Sequence, residues 1–149
     1  MIIPEEVDIR KFLPHRAPML MVDKLVAIDE RSAECQFFVD DACIFVKDGE
    51  LSGTGLIEHA AQTSTAIVGQ RFFTEAQNGA PVLGFISAVK NIEIGILPRA
   101  RQTLITRSTL VTHVPNGLVS LCAMDVRSTV DGRTVLRCSM NFVIEQREP

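Results

Sequence analysis

Few side chains in this sequence can exchange protons near neutral pH. It contains three histidines, His15, His59 and His113, and imidazole is the side chain whose unperturbed pKa falls in that range. Glu58 directly precedes His59, but successive helix residues point about 100° apart. The two side chains are therefore not expected to face one substrate atom together. Helical spacing instead places Glu58 on one face with Gln62, Thr65 and Gly69.

The rest of the composition argues against several classes of binding site. Lys+Arg number 15 and Asp+Glu 18, for a net charge of -3, which argues against the basic face of a nucleic-acid-binding protein. The four cysteines form no C-x-x-C pair and no zinc-ligand spacing, so no metal site is predicted. Neither a signal-peptide pattern nor an apolar run long enough for a membrane span is found. The expectation is a cytoplasmic protein with reduced thiols.

The element that would position Glu58 is a long helix. Apolar and small residues recur at helical spacing from about Ser52 to Phe73, and Ser52 is a good N-cap residue. Gly55 and Gly69 inside the helix each cost roughly 1 kcal/mol relative to Ala. We therefore expect another backbone to approach this helix closely, with the helix pressed tightly into a curved sheet.

Strands are predicted on both sides of the helix. A short helix is predicted over residues 5–13, ending before Pro14, and residues 40–50 are predicted to be a loop. The predicted strands span residues 19–28, 33–39, 82–89, 92–96, 104–114, 118–129 and 134–144. Turns at residues 115–117 and 131–132 join the last three as hairpins. The 149 residues are thus predicted to form one α+β domain, with an antiparallel sheet packed against one helix.

Two motifs stand out on this framework. Residues 13–23 read LPHRAPMLMVD, which we call the LPHR segment, and residues 53–62 read GTGLIEHAAQ. Together they resemble the opening and helix motifs of the 3-hydroxyacyl-acyl-carrier-protein dehydratases of type II fatty-acid synthesis. The resemblance covers residues 9–144 and implies the hotdog fold, in which a sheet wraps one long helix. It also implies a homodimer or larger assembly with the acyl tunnel at the subunit interface, and no metal or organic cofactor.

The resemblance implies roles for several residues. Dehydration removes a proton from C2 of the acyl group and expels the C3 hydroxyl, which requires a base and an acid. The family uses a His from one subunit and a helix carboxylate from the other, and Glu58 matches the carboxylate. The backbone N–H of Gly53 or Thr54 matches the donor to the thioester oxygen. The remaining residues expected along the substrate are Gln62, Ile44, Phe45 and Phe85.

The catalytic His of the family is missing. Its position, fourteen residues before Glu58, is occupied by Ile44, which cannot transfer a proton. Dehydratase-like proteins that lack this His resemble members found with aryl-polyene and flexirubin-type pathways, where such a subunit pairs with a fully equipped dehydratase. The resemblance therefore implies a dehydratase-like protein whose activity is weak, altered or dependent on a partner. His15 is expected to have a structural role in the LPHR segment, and His59 to be exposed or at a dimer contact.

Two other functions stay open. A hotdog thioesterase could use Glu58 alone to activate water and release the acid from acyl-CoA or acyl carrier protein, and a non-catalytic subunit could simply bind acyl groups. An acidic carrier protein would be attracted by basic residues at the tunnel mouth. The candidates for that contact are Arg99, Arg101 and Lys90, for which a solvated loop and strand edge are the alternative explanation.

Overall fold

The structure, a computed structural model, describes residues 8–75 and 82–146. A short 3-10 helix spans Ile9–Lys11, and one long helix, α1, spans Gly53–Glu75. The strands are β1 (Lys24–Ile28), β2 (Ser32–Phe38), β3 (Val46–Lys47), β4 (Glu50–Leu51), β5 (Val82–Ile94), β6 (Thr103–Asn116), β7 (Val119–Val130) and β8 (Arg133–Gln146). The predicted α+β class is confirmed.

Six of the strands form one antiparallel sheet in the order β1-β2-β6-β7-β8-β5, while β3 pairs with β4. The predicted hairpins are confirmed: β6, β7 and β8 follow one another as antiparallel neighbours, with one register shift in each pairing. Gly117, Asp131 and Gly132 have φ values of 62°, 50° and 77° at the two turns. Positive φ at these positions matches the twist of the hairpin strands. Side chains alternate between the two faces of β6, β7 and β8.

The long helix begins where its sequence predicts. The Ser52 hydroxyl accepts a hydrogen bond from the Gly55 N–H at 3.1 Å, which satisfies one of the free donors of the first turn. Beyond this cap α1 packs on β2, β6 and β7 and is buried on most of its circumference. A Cβ added at Gly55 would lie 2.5 Å from the Phe45 Cβ. This glycine is therefore tightly packed, but against the side chains of Phe45 and Leu51 rather than against the expected backbone.

Five predicted elements differ in the structure, two of which are the strands at 82–89 and 92–96. Residues 82–94 form one strand, β5, with register shifts and a positive φ of 53° at Asn91 in place of the predicted break. Residues 19–23 lie outside β1, because their backbone groups bind side chains of α1 as well as a neighbouring strand. The loop at 40–50 contains β3 and part of β4. Of the helix predicted at 5–13, only Ile9–Lys11 is helical, and residues 5–7 lie outside the described residues.

The core lies between α1 and the inner face of the sheet. Strands β6, β7 and β8 each contribute a row of buried apolar side chains to it, including Leu110, Met124 and Met140. No helix in the described part of the chain is long and apolar enough to span a membrane.

Candidate active site

A cavity of about 340 Å³ lies between α1, the LPHR segment and strands β5 and β8. Glu58, Gln62, Thr65 and Gly69 of α1 all line it, so the predicted helix face is confirmed. The opposite walls are mostly apolar and consist of Gly84, Ile86, Phe142 and Ile144. A concave apolar site with a few convergent polar groups is typical of small-molecule binding sites.

The amide of Gln62 holds the Glu58 carboxylate in place. Its Nε2 donates to Glu58 Oε1 at 2.8 Å and to the Met19 carbonyl at 2.8 Å. Its Oε1 accepts from the Met21 N–H at 2.7 Å. Because Gln62 is completely buried, these hydrogen bonds act in a region of low dielectric constant and fix the orientation of the amide. Gln62 therefore links Glu58 to the LPHR segment.

His59 is neither exposed nor free for a dimer contact, so that expectation was wrong. Its side chain is completely buried, and its ring stacks on Phe37 with the centroids 5.8 Å apart. The Nδ1 atom lies 2.6 Å from the Met21 carbonyl, which can only accept, so Nδ1 carries the proton. Burial lowers the pKa of His59 to about 4, against the opposing effect of this hydrogen bond. His59 is therefore a neutral anchor of the LPHR segment.

His15 lies beside Glu58, a contact that the sequence did not predict. The LPHR segment, bound to α1 through Met19 and Met21, carries His15 to the cavity wall. There its Nε2 atom lies 3.9 Å from Glu58 Oε1. Burial lowers the pKa of His15, while the Glu58 charge opposes that change. At neutral pH the imidazole is therefore mainly uncharged and can accept a proton.

The other expected substrate contacts do not line this cavity. Ile44 is 51% exposed, and Phe45 packs on Gly55 at the start of α1. Phe85 is exposed on β5 and points away from the cavity that its two neighbours line. Of the substrate-binding candidates, only Gln62 is thus brought to Glu58 within one chain.

The candidate donors to the thioester oxygen, Gly53 and Thr54, lie at the N-terminus of α1. Thr54 is exposed and Gly53 half-buried, and neither lines the cavity. Their backbone N–H groups belong to the first turn, which has no acceptors within the helix. A substrate that reaches them would have to extend from the cavity along the start of α1.

Two of the three basic residues expected to contact a carrier protein have acidic neighbours. Arg99 Nη1 lies 4.0 Å from Glu50 Oε2, and Arg101 Nε donates to Asp41 Oδ2 at 3.2 Å. Lys90 is exposed on β5. The two arginine pairs are largely exposed, and exposed ion pairs contribute little free energy. Both arginines therefore stay available to an incoming acidic surface.

A larger groove of about 540 Å³ lies on the outer face of the sheet. Arg107, Arg127 and Arg137 stand directly opposite one another on β6, β7 and β8. Three carboxylates also line this groove: Glu34, Glu93 and Asp125. The formal charges of these six side chains balance, and no histidine is found among the described residues that line the groove. Glu58 and His15, which can both transfer protons, lie in the smaller cavity.

The chain as a whole is similar to known dehydratases. A family model described as ApeP-like, ApeP dehydratase, matches residues 7–144. No curated protein sequence matches the chain. The dehydratase heterocomplex ApeI:P from Xenorhabdus doucetiae has a similar structure, with a TM-score of 0.79 at 18% identity over 97% of this chain and 93% of that chain.

Two thioesterases have the same fold at lower similarity. A hypothetical thioesterase from Streptococcus pneumoniae, solved with coenzyme A, gives a TM-score of 0.61 at 15% identity, covering 84% of this chain and 88% of that chain. A mutant thioesterase from Pseudomonas aeruginosa gives 0.61 at 13% identity, covering 83% and 81%. These neighbours and the wrapped helix confirm the hotdog fold.

Proposed function

This chain belongs to the ApeP-like dehydratase family, and on that premise we propose that it is a dehydratase-like subunit acting on 3-hydroxyacyl groups bound to acyl carrier protein. The observation that carries the proposal is the position of Glu58. Its carboxylate is held by Gln62 at the wall of an otherwise largely apolar cavity of about 340 Å³.

Dehydration of a 3-hydroxyacyl thioester needs proton transfer at two neighbouring carbons. The proton on C2 is taken by a base, and the hydroxyl on C3 leaves as water after receiving a proton. Glu58 supplies the carboxylate for this exchange, and the apolar walls formed by Ile86, Phe142 and Ile144 accommodate the acyl chain. Because Gln62 donates to Glu58 Oε1, the carboxylate keeps a fixed orientation during the reaction.

The edge strand β5 supports assembly with a second dehydratase subunit. β5 lies at one end of the sheet order, where its unpaired backbone groups can pair with another strand. It also exposes Phe85, Ile86, Ile92 and Ile94. Ile86 both lines the cavity and is exposed, so a subunit on β5 would cover the open side of the site. The neighbour from Xenorhabdus doucetiae is a dehydratase heterocomplex.

The carrier protein is expected to approach the loop between β5 and β6. Arg99 and Arg101 are exposed in this loop, and exposed guanidinium groups attract an acidic partner over roughly 10 Å at moderate ionic strength. Lys90 on β5 adds a third cation. This contact would set the rate of encounter with the carrier protein rather than the chemistry in the cavity.

The proposal is tested by turnover of 3-hydroxyacyl-acyl carrier protein, with the chain alone and in complex with a dehydratase subunit. Formation of the 2-enoyl product is followed by mass spectrometry of the carrier protein. Glu58→Gln should lower the rate about 100- to 10,000-fold. Glu30→Gln, in the exposed turn after β1, is the matched control and should leave the rate unchanged.

Two results would contradict the proposal. One is wild-type protein that gives no enoyl product in either form and does not change the rate of its partner. The other is release of free acid instead of the enoyl product, which would identify the chain as a thioesterase; loss of that release in Glu58→Gln would assign the activity to Glu58.

A further inference from the structure

We propose that His15 is the second catalytic residue of this site and supplies, from the same chain as Glu58, the imidazole that Ile44 cannot supply. This inference rests on the proposed dehydratase function. It follows from the position of the LPHR segment, which places a histidine at the cavity wall that holds the carboxylate.

The cavity leaves few alternatives for a second proton-transfer group. Its polar lining in this chain consists of His15, Glu58, Gln62 and Thr65. An amide and an aliphatic hydroxyl do not titrate near neutral pH, so among the described residues that line the cavity His15 is the one candidate besides Glu58. The lining residues of β5 and β8 are Gly84, Ile86, Phe142 and Ile144, which carry no titratable groups.

The geometry of the pair suits proton transfer to a substrate that binds in the cavity against both side chains. His15 Nε2 and Glu58 Oε1 are 3.9 Å apart, and the two side chains are 28% and 26% exposed. This separation is too long for a hydrogen bond. Catalytic contacts are often loose without substrate and tighten in the complex. Both groups can therefore contact neighbouring carbons of one bound acyl group.

The placement of His15 is fixed by the surrounding backbone. Arg16 Nη1 donates to the carbonyls of Leu13 and His15, at 2.9 and 2.7 Å. The Arg16 carbonyl in turn accepts from the N–H groups of Met19 and Leu20. Because Met19 and Met21 are bound to Gln62, the turn that carries His15 is attached to the helix that carries Glu58. A catalytic group needs this kind of preorganisation.

The proposed reaction balances without an external acid or base. Neutral His15 Nε2 takes the C2 proton, and the electrons of the broken C–H bond form the thioester enolate. The Glu58 carboxylate stabilises the resulting imidazolium by its charge. The enolate electrons then close the C2=C3 double bond and the C3–O bond breaks. The leaving hydroxide receives the proton from the His15–Glu58 pair and departs as water, which returns both groups to their starting charge.

The charges around His15 favour its neutral form before reaction. Burial is the main cause of its lowered pKa, Arg16 acts in the same direction, and Glu58 opposes both. A neutral imidazole is the form that can take the C2 proton. The rate should therefore fall at acid pH as His15 becomes protonated, with a midpoint below the usual pKa of about 6.5 for histidine.

The experiment compares four proteins in the turnover assay, each alone and with the partner subunit: wild type, Glu58→Gln, His15→Gln and His113→Gln. We expect His15→Gln to lower kcat about 100- to 10,000-fold with little change in KM. His113→Gln is the matched control at a residue on β6 outside the cavity, and it should retain activity. Exchange of C2 deuterium of the substrate into solvent should also be lost in His15→Gln.

A structural role for His15 is separated from a catalytic one by chemical rescue. In His15→Ala, added imidazole should restore part of the rate, because it can enter the vacated space and accept the proton. A thermal melt of both His15 variants shows whether they fold. A folded His15→Gln protein with nearly wild-type kcat, or a folded His15→Ala protein that imidazole does not rescue, would overturn the inference.

The outcomes also separate this inference from the proposed function. Loss of activity in Glu58→Gln but not in His15→Gln overturns the role of His15 and leaves the dehydratase function intact. Loss of activity in His15→Gln but not in Glu58→Gln overturns the pairing of His15 with Glu58 and the catalytic role of the Glu58 carboxylate. Wild-type protein without enoyl product, alone and with the partner, overturns both.

Discussion

The buried imidazole of His59 should make the fold sensitive to acid. Its pKa is lowered from 6.5 to about 4 because the side chain is completely buried. In the unfolded chain His59 binds a proton below pH 6.5, whereas in the folded protein it stays neutral down to about pH 4. Stability from this residue is therefore fully present above the unfolded pKa and is lost as the pH falls toward the folded pKa.

The magnitude follows from the two pKa values. A difference of 6.5 minus about 4, at about 1.4 kcal/mol for each unit of pKa, amounts to about 3 kcal/mol of unfolding free energy lost by about pH 4. This is a large share of the 5–15 kcal/mol that typically stabilises a domain. The lowered pKa of His15 acts in the same direction, and the raised pKa of Asp23 acts in the opposite direction.

The measurement is urea unfolding of the wild type and of His59→Phe at several pH values from about 7 to about 4. Phe keeps a ring that can stack on Phe37 but removes the proton-binding site. At neutral pH the variant should be less stable by about 1–3 kcal/mol, because the buried Met21 carbonyl loses its donor. Its further loss of stability toward acid should be about 3 kcal/mol smaller than that of the wild type.

Comparing the two proteins cancels the contributions of His15 and Asp23, which both proteins share. Equal losses of unfolding free energy between neutral and acid pH would refute the reasoning. That result would mean that His59 takes up a proton in the folded state as easily as in the unfolded chain.

Three further predictions concern packing and accessibility. Gln62→Leu should lower the unfolding free energy by about 3 kcal/mol in urea titration, because it leaves the buried Met21 N–H and the Met19 carbonyl without this partner. Gly55→Ala should lower it by about 1–3 kcal/mol, because the new methyl group would lie 2.5 Å from Phe45; unchanged stability would contradict the tight packing. Alkylation of the native protein should modify Cys43 before the other three cysteines, which are buried, as mass mapping of the labelled peptides would show.

The elements predicted from the sequence are those whose causes are local. Ser52 caps α1 as its residue type indicates, and the glycine of each hairpin turn adopts positive φ. The apolar residues that alternate along β8 face the core. In each case the determining residues lie within a few positions of one another, so the sequence contains the complete information.

The errors fall where distant parts of the chain decide the structure. Residues 19–23 are apolar enough to predict a strand, but the side chains of Gln62 and His59 bind Met19 and Met21. A strand would form its backbone hydrogen bonds with neighbouring strands. In this segment, side chains of α1 form some of those hydrogen bonds instead. The same contacts explain the site: helical spacing predicts that Glu58 and Gln62 share a face, but not which segment lies opposite.

His15 and His59 illustrate this difference. Their distances from Glu58 along the sequence do not match their positions relative to Glu58 in the structure. His59 is adjacent to Glu58 along the chain, yet it points into the core and holds Met21. His15 is far from Glu58 along the chain, yet it reaches the same cavity.

Because of these two positions, acid should suppress the reaction in two ways. Protonation of His15 removes the base, whereas protonation of His59 weakens the attachment of the LPHR segment and acts through stability. Rates measured immediately after a jump to acid pH report the first effect, and the slower decline that follows reports the second.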